Sequence, residues 1–177
     1  MPLTQFERVE SNVRRLAQTF TELPVTEVLL ARGIIILARD INTLLENELK
    51  PYGLSETEFR LLMALFSHGG QAFAGDTCAA LAQSPANLTR IADVLVERAF
   101  ITRSPDLADR RRMLLALQPE GERVVRALMP RIGPPMSAAF ASFSTTEKEQ
   151  LLENLKRLLG SIDQIAAAEA AARGELA

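Results

Sequence analysis

The chain has 177 residues, 47% of them hydrophobic and 24% charged, and a formal net charge of −2, the profile of a soluble globular domain or of one domain with helical extensions. Aromatic residues make up 5%, with one tyrosine and no tryptophan, too few for the exposed stacking platforms that hold single-stranded nucleic acid. The single cysteine, Cys78, leaves no intrachain disulfide framework and no cysteine-rich zinc cluster.

The opening MPLTQFERVESNVRR carries acidic residues early and lacks an apolar core, so it does not read as a signal peptide. The longest uncharged runs, 61–75 and 132–146, are broken by Gly, Ser or Pro, and a bilayer span needs about 20 apolar residues. A cytoplasmic protein with no membrane segment is expected.

From Leu3 to Phe20, apolar residues at Phe6, Val9, Val13, Leu16, Ala17 and Phe20 recur at helical spacing, until Leu23-Pro24 breaks the pattern. Val25 to Leu49 reads as a long helix with a stripe of Leu30, Ile34, Leu37, Ile41, Leu44 and Leu49. Its GIIILA run is apolar nearly all round, which predicts burial on more than one side. Pro51-Tyr52-Gly53 ends it. Ser55-Glu56-Thr57-Glu58 is a capping box for a helix that stops near His68-Gly69-Gly70.

Gln71 to Gly75 is expected to be extended. Asp76 suits the N-cap of a brief helix, Thr77 to Gln83. Ser84-Pro85 then starts another, with serine at the cap and proline at the first helical position. Two short helices joined so tightly form a helix-turn-helix pattern. In the second, Leu88, Ile91, Ala92 and Leu95 share one face, leaving Ala86, Asn87, Thr89, Arg90 and Asp93 outward. Small and polar residues at the exposed start of a helix suit contact with base edges, because the backbone can approach the groove floor.

Ile101-Thr102-Arg103 and Arg112 to Leu117 read as a pair of strands, joined by a turn-rich tip, Ser104 to Arg111. Pro119 opens the next helix, with Glu120 and Glu122 in its first turn. Pro130 and Gly133-Pro134-Pro135 are expected to bend or interrupt that helix, with a further piece from Met136 to Phe143. Ser144-Thr145-Thr146-Glu147 is a second capping box. It starts a last helix whose Leu151, Leu155, Leu158, Ile162 and Ile165 form the heptad-like seam of a partner helix. The tail AAAEAAARGELA is helix-prone with nothing to bury and is expected to fray.

The stretch Ser84 to Leu117 concentrates the chemistry. It holds Arg90, Arg98, Arg103, Arg110, Arg111 and Arg112 against Asp93, Glu97, Asp106 and Asp109, so it is positive within an acidic chain, as a local DNA-binding face requires. Three arginines at a hairpin tip reach phosphates or a narrow minor groove, whose negative potential favours inserted arginine. An isolated run of this kind would be an ordinary solvated loop; its place directly after a helix-turn-helix argues for DNA. The expected DNA-contacting residues are Ser84, Ala86, Asn87, Thr89, Arg90, Arg103, Arg110, Arg111 and Arg112. Asn87 suits adenine, while Ser84 and Thr89 suit phosphate or base edges. Asp109 is expected to be structural, holding a neighbouring guanidinium.

Together, GLSETEF at 53–59, SPANLTRIADVL at 84–95 and the Asp-Arg-Arg to Pro-Glu-Gly run from Asp109 to Gly121 resemble the MarR family of bacterial transcription regulators over roughly Leu30 to Ile165. TRIAD at 89–93 and STTEKEQL at 144–151 are similar to the family's multidrug-efflux repressor subgroup, called EmrR or MprA. The resemblance implies a mainly α fold with a small β-wing: a winged helix-turn-helix at 51–118, flanked by dimerisation helices at 1–50 and 119–177. It implies a homodimer on a pseudo-palindromic duplex, repressing efflux or stress-resistance genes and released by a small aromatic or phenolic ligand. The seam residues Leu151, Leu155, Leu158 and Ile162 are the expected dimer contacts. This chain departs from the family at Ala99, where glycine is frequent, at Gln118, where threonine precedes Pro-Glu-Gly, and near Thr77, where an apolar residue is common.

Other readings are weaker. His68, the one histidine, sits at a helix end and suits a C-terminal cap; no nucleophile motif, phosphate-binding glycine loop or metal-ligand cluster is present. No enzyme activity and no cofactor or metal are expected. A redox-sensing Cys78 is an alternative, although its small-residue setting suits a buried, inert thiol. A helical adaptor using the 151–165 seam would leave the arginine hairpin unexplained. An effector pocket is expected among the helices at 25–49, 55–68 and 119–129; Phe59, Met63 and Phe66 lie near it but suit core packing better, so its ligand-binding residues are unknown.

Overall fold

The structure, a computed structural model, describes residues 5–106 and 108–174. Leu3 and Thr4 of the expected first helix, Leu107 of the wing tip and the last three residues of the tail lie outside the described residues. The order is α1 (Gln5–Ala17), α2 (Val25–Leu49), a 3-10 turn (Lys50–Tyr52), α3 (Glu56–Ser67), β1 (Gln71–Phe73), α4 (Ala74–Leu81), α5 (Pro85–Glu97), β2 (Ile101–Pro105), β3 (Met113–Leu117), α6 (Pro119–Ala139) and α7 (Thr145–Gly174).

The capping box forms in full at α3. The Glu58 N–H donates to Ser55 Oγ at 3.3 Å and the Ser55 N–H donates to Glu58 Oε2 at 2.9 Å, so two otherwise orphaned donors are satisfied. The three strands form one antiparallel sheet in the order β1-β3-β2. Phe73 faces Leu114 on one side, and Ile101 faces Leu117 on the other. Beneath the sheet lies the core: Leu49, Leu61, Leu62, Leu65, Ile91, Leu95, Ile101, Leu115, Val125 and Leu128 are all but inaccessible, each such side chain stabilising the fold by about 1.5–3 kcal/mol relative to exposure.

Four expectations need correction. First, α4 begins at Ala74, ahead of Asp76. Phe73, the last residue of β1, is its N-cap without a side-chain bond, and the Phe73 carbonyl accepts the Thr77 hydroxyl at 2.9 Å. Asp76 therefore sits inside the first turn, where its carboxylate complements the helix dipole. Thr77, nearly fully buried, tolerates a site that suits an apolar residue because that bond satisfies its hydroxyl.

Second, α6 runs from Pro119 to Ala139 without a break. Pro130 and Pro134 are solvent-exposed, so water is available to the carbonyls whose helical donors the prolines lack. Third, α7 continues through the alanine-rich tail to Gly174, exposed from Ala166 to Arg173, as alanine's helix propensity allows. Fourth, α2 is less covered than its all-round apolarity suggests: Leu30, Ile34, Ile35, Leu37 and Leu44 are exposed. The pattern records surface that the sequence is built to bury, and within one chain α1 covers only part of it, for example where Phe6 meets Gly33.

Ala99 follows α5 in the left-handed conformation, with φ of +55°, and the Phe100 N–H closes onto Leu95 O at 2.9 Å. The cap has the form that glycine would give it, at a cost of roughly 1 kcal/mol for the β-carbon. By compactness the chain divides at Ile132/Gly133, within the proline cluster.

Candidate DNA-binding face

The recognition helix α5 is held by its apolar side. Leu88, Ile91, Ala92 and Leu95 are at most 2% exposed, while Ala86, Thr89, Arg90 and Asp93 face solvent. Its start is rigid: Ser84 Oγ accepts the Asn87 N–H at 3.2 Å, and the Thr89 hydroxyl bonds back to Pro85 O at 2.9 Å. Asn87 is half-buried, donating to Gln83 Oε1 and accepting from Arg90 Nη2 at 3.1 Å. The helix thus presents a pre-arranged polar chain, Gln83–Asn87–Arg90, along its exposed first turns.

The six arginines of this region separate into two groups. Arg103, on β2, pairs with Asp93 of α5 at 2.9 Å. Arg112 turns away from the tip: its guanidinium pairs with Asp76 of α4 at 3.2 Å and lies 3.6 Å from the centroid of the Phe73 ring. Arg98 donates to the carbonyls of Gly53 and Tyr52 and stacks on Phe100. Arg90, Arg110 and Arg111 are exposed, and among the described residues none of the three pairs with a carboxylate. The net positive charge counted on the sequence is therefore concentrated on the start of α5 and the wing tip.

Asp109 shapes that tip through the backbone rather than through a guanidinium. Its Oδ1 accepts the Arg111 N–H at 3.0 Å and its carbonyl accepts the Arg112 N–H at 2.8 Å. Its own N–H reaches Asp106 Oδ2 at 3.3 Å. Two carboxylates close a turn that would otherwise leave amides unpaired. Gln118 does not cap α6; its amide donates to the Thr102 hydroxyl at 3.1 Å, bracing the base of the wing.

Sequence reasoning missed Arg98 and Asp76 as framework residues. In the sequence Arg98 shows only its charge, since its partners lie 45 and 46 positions away, beyond any local pattern. His68 caps α3, with its Nδ1 at 2.8 Å from Ala64 O. Cys78 is half-buried against the core rather than sealed inside it. Phe59 is buried in the core, and Met63 and Phe66 pack against it. A cavity of about 500 Å³ opens between the end of α3, β1, α4 and the wing, away from the expected junction of α2, α3 and α6. Among the described residues no His, Cys, Asp and Glu group is arranged to hold a metal ion, and no helix is long and apolar enough to cross a membrane.

The comparisons with known proteins agree with this geometry. A profile of the MarR family matches residues 52–112. The transcriptional repressor MprA of Escherichia coli (strain K12) is 32% identical over 166 residues, covering 92% of this chain and 93% of MprA. The chain belongs to the MarR family. Its mainly helical architecture with a small three-stranded sheet is the winged helix of MarR regulators. The organohalide sensing RdhR-CbdbA1625 transcriptional regulator, solved in a 2,4-dichlorophenol bound form, superposes with a TM-score of 0.72 and 21% identity, covering 80% of this chain and 83% of that one. A mutant of E. coli MarR complexed with operator DNA superposes at 0.70, with 22% identity, covering 78% and 99%. At such identities these two establish the shared fold. The MarR relatives are transcriptional regulators, not enzymes.

Proposed function

We propose that this MarR-family chain is a cytoplasmic transcriptional repressor that binds a pseudo-palindromic DNA duplex as a homodimer and releases it on binding a small aromatic or phenolic molecule, controlling efflux or stress-resistance genes. The observation that carries the reading is the sorting of the arginines: Arg103 and Arg112 are paired with Asp93 and Asp76, while Arg90, Arg110 and Arg111, exposed on the helix start and wing tip, have no carboxylate partner among the described residues. A face whose cations without a carboxylate partner, among the described residues, lie at the two points that reach a groove is suited to DNA at defined sites.

In this reading α5 enters the major groove, with Ser84, Ala86, Asn87, Thr89 and Arg90 toward bases and phosphates. Arg110 and Arg111 extend to the minor groove or its phosphates. Arg103 and Arg112 act by holding the wing against α5 and α4. Residues 51–118 form the DNA-binding part, and 1–50 and 119–177 the dimerisation parts. The exposed stripe of α2 and the seam of α7, where Leu155 is 39% and Ile162 52% exposed, are the apolar surface that a second copy would cover. The relationship to MprA, named a repressor, and to a fold neighbour solved with a chlorophenol supports the regulatory part of the reading.

The test is a gel shift with DNA from upstream of the chain's own gene, with and without phenolic compounds, together with sedimentation of the free protein. A retarded, dimer-sized complex that phenols dissolve is expected. No complex with any upstream fragment overturns the DNA reading. Redox sensing through Cys78 is a second reading, favoured by its partial exposure alone; loss of binding on peroxide treatment, abolished by Cys78→Ser, would establish it.

A further inference from the structure

We propose that the cavity beneath the wing binds a planar organic cation, an amidine or guanidine carried on an aromatic body, and that the chain's own Arg112 occupies the cation subsite until such a ligand displaces it. The subsite has two elements. The Phe73 ring offers its face, with the Arg112 Cζ 3.6 Å from its centroid. The Asp76 carboxylate offers an acceptor, 3.2 Å from Arg112 Nη2. An aromatic face beside a carboxylate is the arrangement that recognises a flat, delocalised cation.

The ion-pair half of the occupant's hold is weak. The Arg112 side chain is 46% exposed and that of Asp76 71%, and an ion pair so open to water contributes little. Phe73 and Asp76 both also line the cavity of about 500 Å³, within the range of pockets that take small ligands. Its remaining wall is mostly apolar, with Ala64, Ala72 and Leu114, and room for an aromatic ring. The second acid on the wall, Asp106, adds to the preference for a cation and disfavours a phenolate or carboxylate.

Displacement has a consequence for the wing. The Arg112 side chain ties the base of β3 to α4, and its carbonyl accepts the Asp106 N–H at 2.9 Å. A ligand that takes Phe73 and Asp76 removes that tie from the hairpin that carries Arg110 and Arg111. DNA and cation then oppose each other's binding reciprocally. This regulatory consequence rests on the DNA-binding reading above; the cation site itself does not.

The test uses the full chain with benzamidine as probe, and benzamide and benzoate as neutral and anionic counterparts, followed by calorimetry and amide NMR. Benzamidine is expected to bind about tenfold more tightly than benzamide, shifting amides of β1, α4 and β3. Asp76→Asn should remove that preference. Arg112→Met should tighten benzamidine by roughly fivefold, because an internal competitor is gone; a merely structural Arg112 would loosen the pocket instead. Equal binding of benzamide, indifference to Asp76→Asn or weaker binding to Arg112→Met overturns the site. Undiminished DNA affinity at saturating benzamidine overturns the coupling to the wing. Benzamidine binding that follows this pattern in a chain that retards no DNA keeps the site and removes the repressor reading.

Discussion

Arg98, at the end of the recognition helix, donates to the Gly53 carbonyl at 2.7 Å and the Tyr52 carbonyl at 2.5 Å, and its guanidinium lies 4.4 Å from the Phe100 ring centroid. One side chain thus ties α5 to the turn that ends α2. A planar fork with two carbonyl acceptors and an aromatic face cannot be reproduced by an ammonium. Arg98→Ala is expected to lower stability by about 1–3 kcal/mol, and Arg98→Lys to recover only part of it. Urea denaturation measures both; an Arg98→Ala variant as stable as the parent would show that the clamp contributes nothing.

Arg111 is exposed at the wing tip with no carboxylate partner among the described residues, whereas Arg103 is paired with Asp93. Arg111→Ala is expected to weaken association with all DNA sequences alike and to lower the slope of log affinity against log salt by about 1. Arg103→Ala should change that slope less, since its charge is already balanced. Fluorescence anisotropy across a salt series reads both, and equal slopes for Arg111→Ala and the parent would remove Arg111 from the interface.

Gly121 is buried in the first turns of α6, where a β-carbon would stand 2.3 Å from the Phe100 carbonyl oxygen and 2.9 Å from Leu117 Cδ1. That oxygen also accepts the Gln118 N–H at 2.9 Å, so the backbone cannot move aside without losing a bond. Gly121→Ala is expected to destabilise by about 1–3 kcal/mol, seen as a lower midpoint of thermal unfolding. An unshifted midpoint would mean that α6 slides freely over the wing.

At the start of α7, hydrogen bonds from the Ser144 hydroxyl at 2.7 Å and the Ser144 N–H at 2.8 Å hold the Glu147 carboxyl below the ordinary glutamate range. The ionised form is the one that the folded helix start favours. Its contribution is therefore complete above the unfolded-state value and disappears as the pH falls through the lowered folded-state value. The Ser144 amide resonance should titrate with a midpoint below that of an ordinary glutamate, and Glu147→Gln should abolish the titration while keeping the cap. A midpoint at the ordinary value would show that the box is open in solution.

Local chemistry was legible where a residue's role depends on its neighbours in sequence. Ser55 with Glu58, Ser84 with Pro85 and Ser144 with Glu147 announced their helix starts because capping acts within three or four positions. The buried side of α5 followed from helical periodicity alone. The start of α4 was misread because a strand pairing, Phe73 with Leu114, placed its first turn, and that partner lies far along the chain. The prolines of α6 were over-read because a missing N–H matters little where the opposing carbonyl has water.

In the sequence, the order of elements, a resemblance to the MarR family and a basic stretch from Ser84 to Leu117 were already legible. Helical period, caps and the order of motifs are local properties, and a net charge is only a count. Only the tertiary structure decided which arginines that charge leaves available. Asp93 takes Arg103, Asp76 takes Arg112 and the carbonyls of Tyr52 and Gly53 take Arg98, because electrostatic and hydrogen-bond partners are chosen by distance in space, and the fold alone sets those distances.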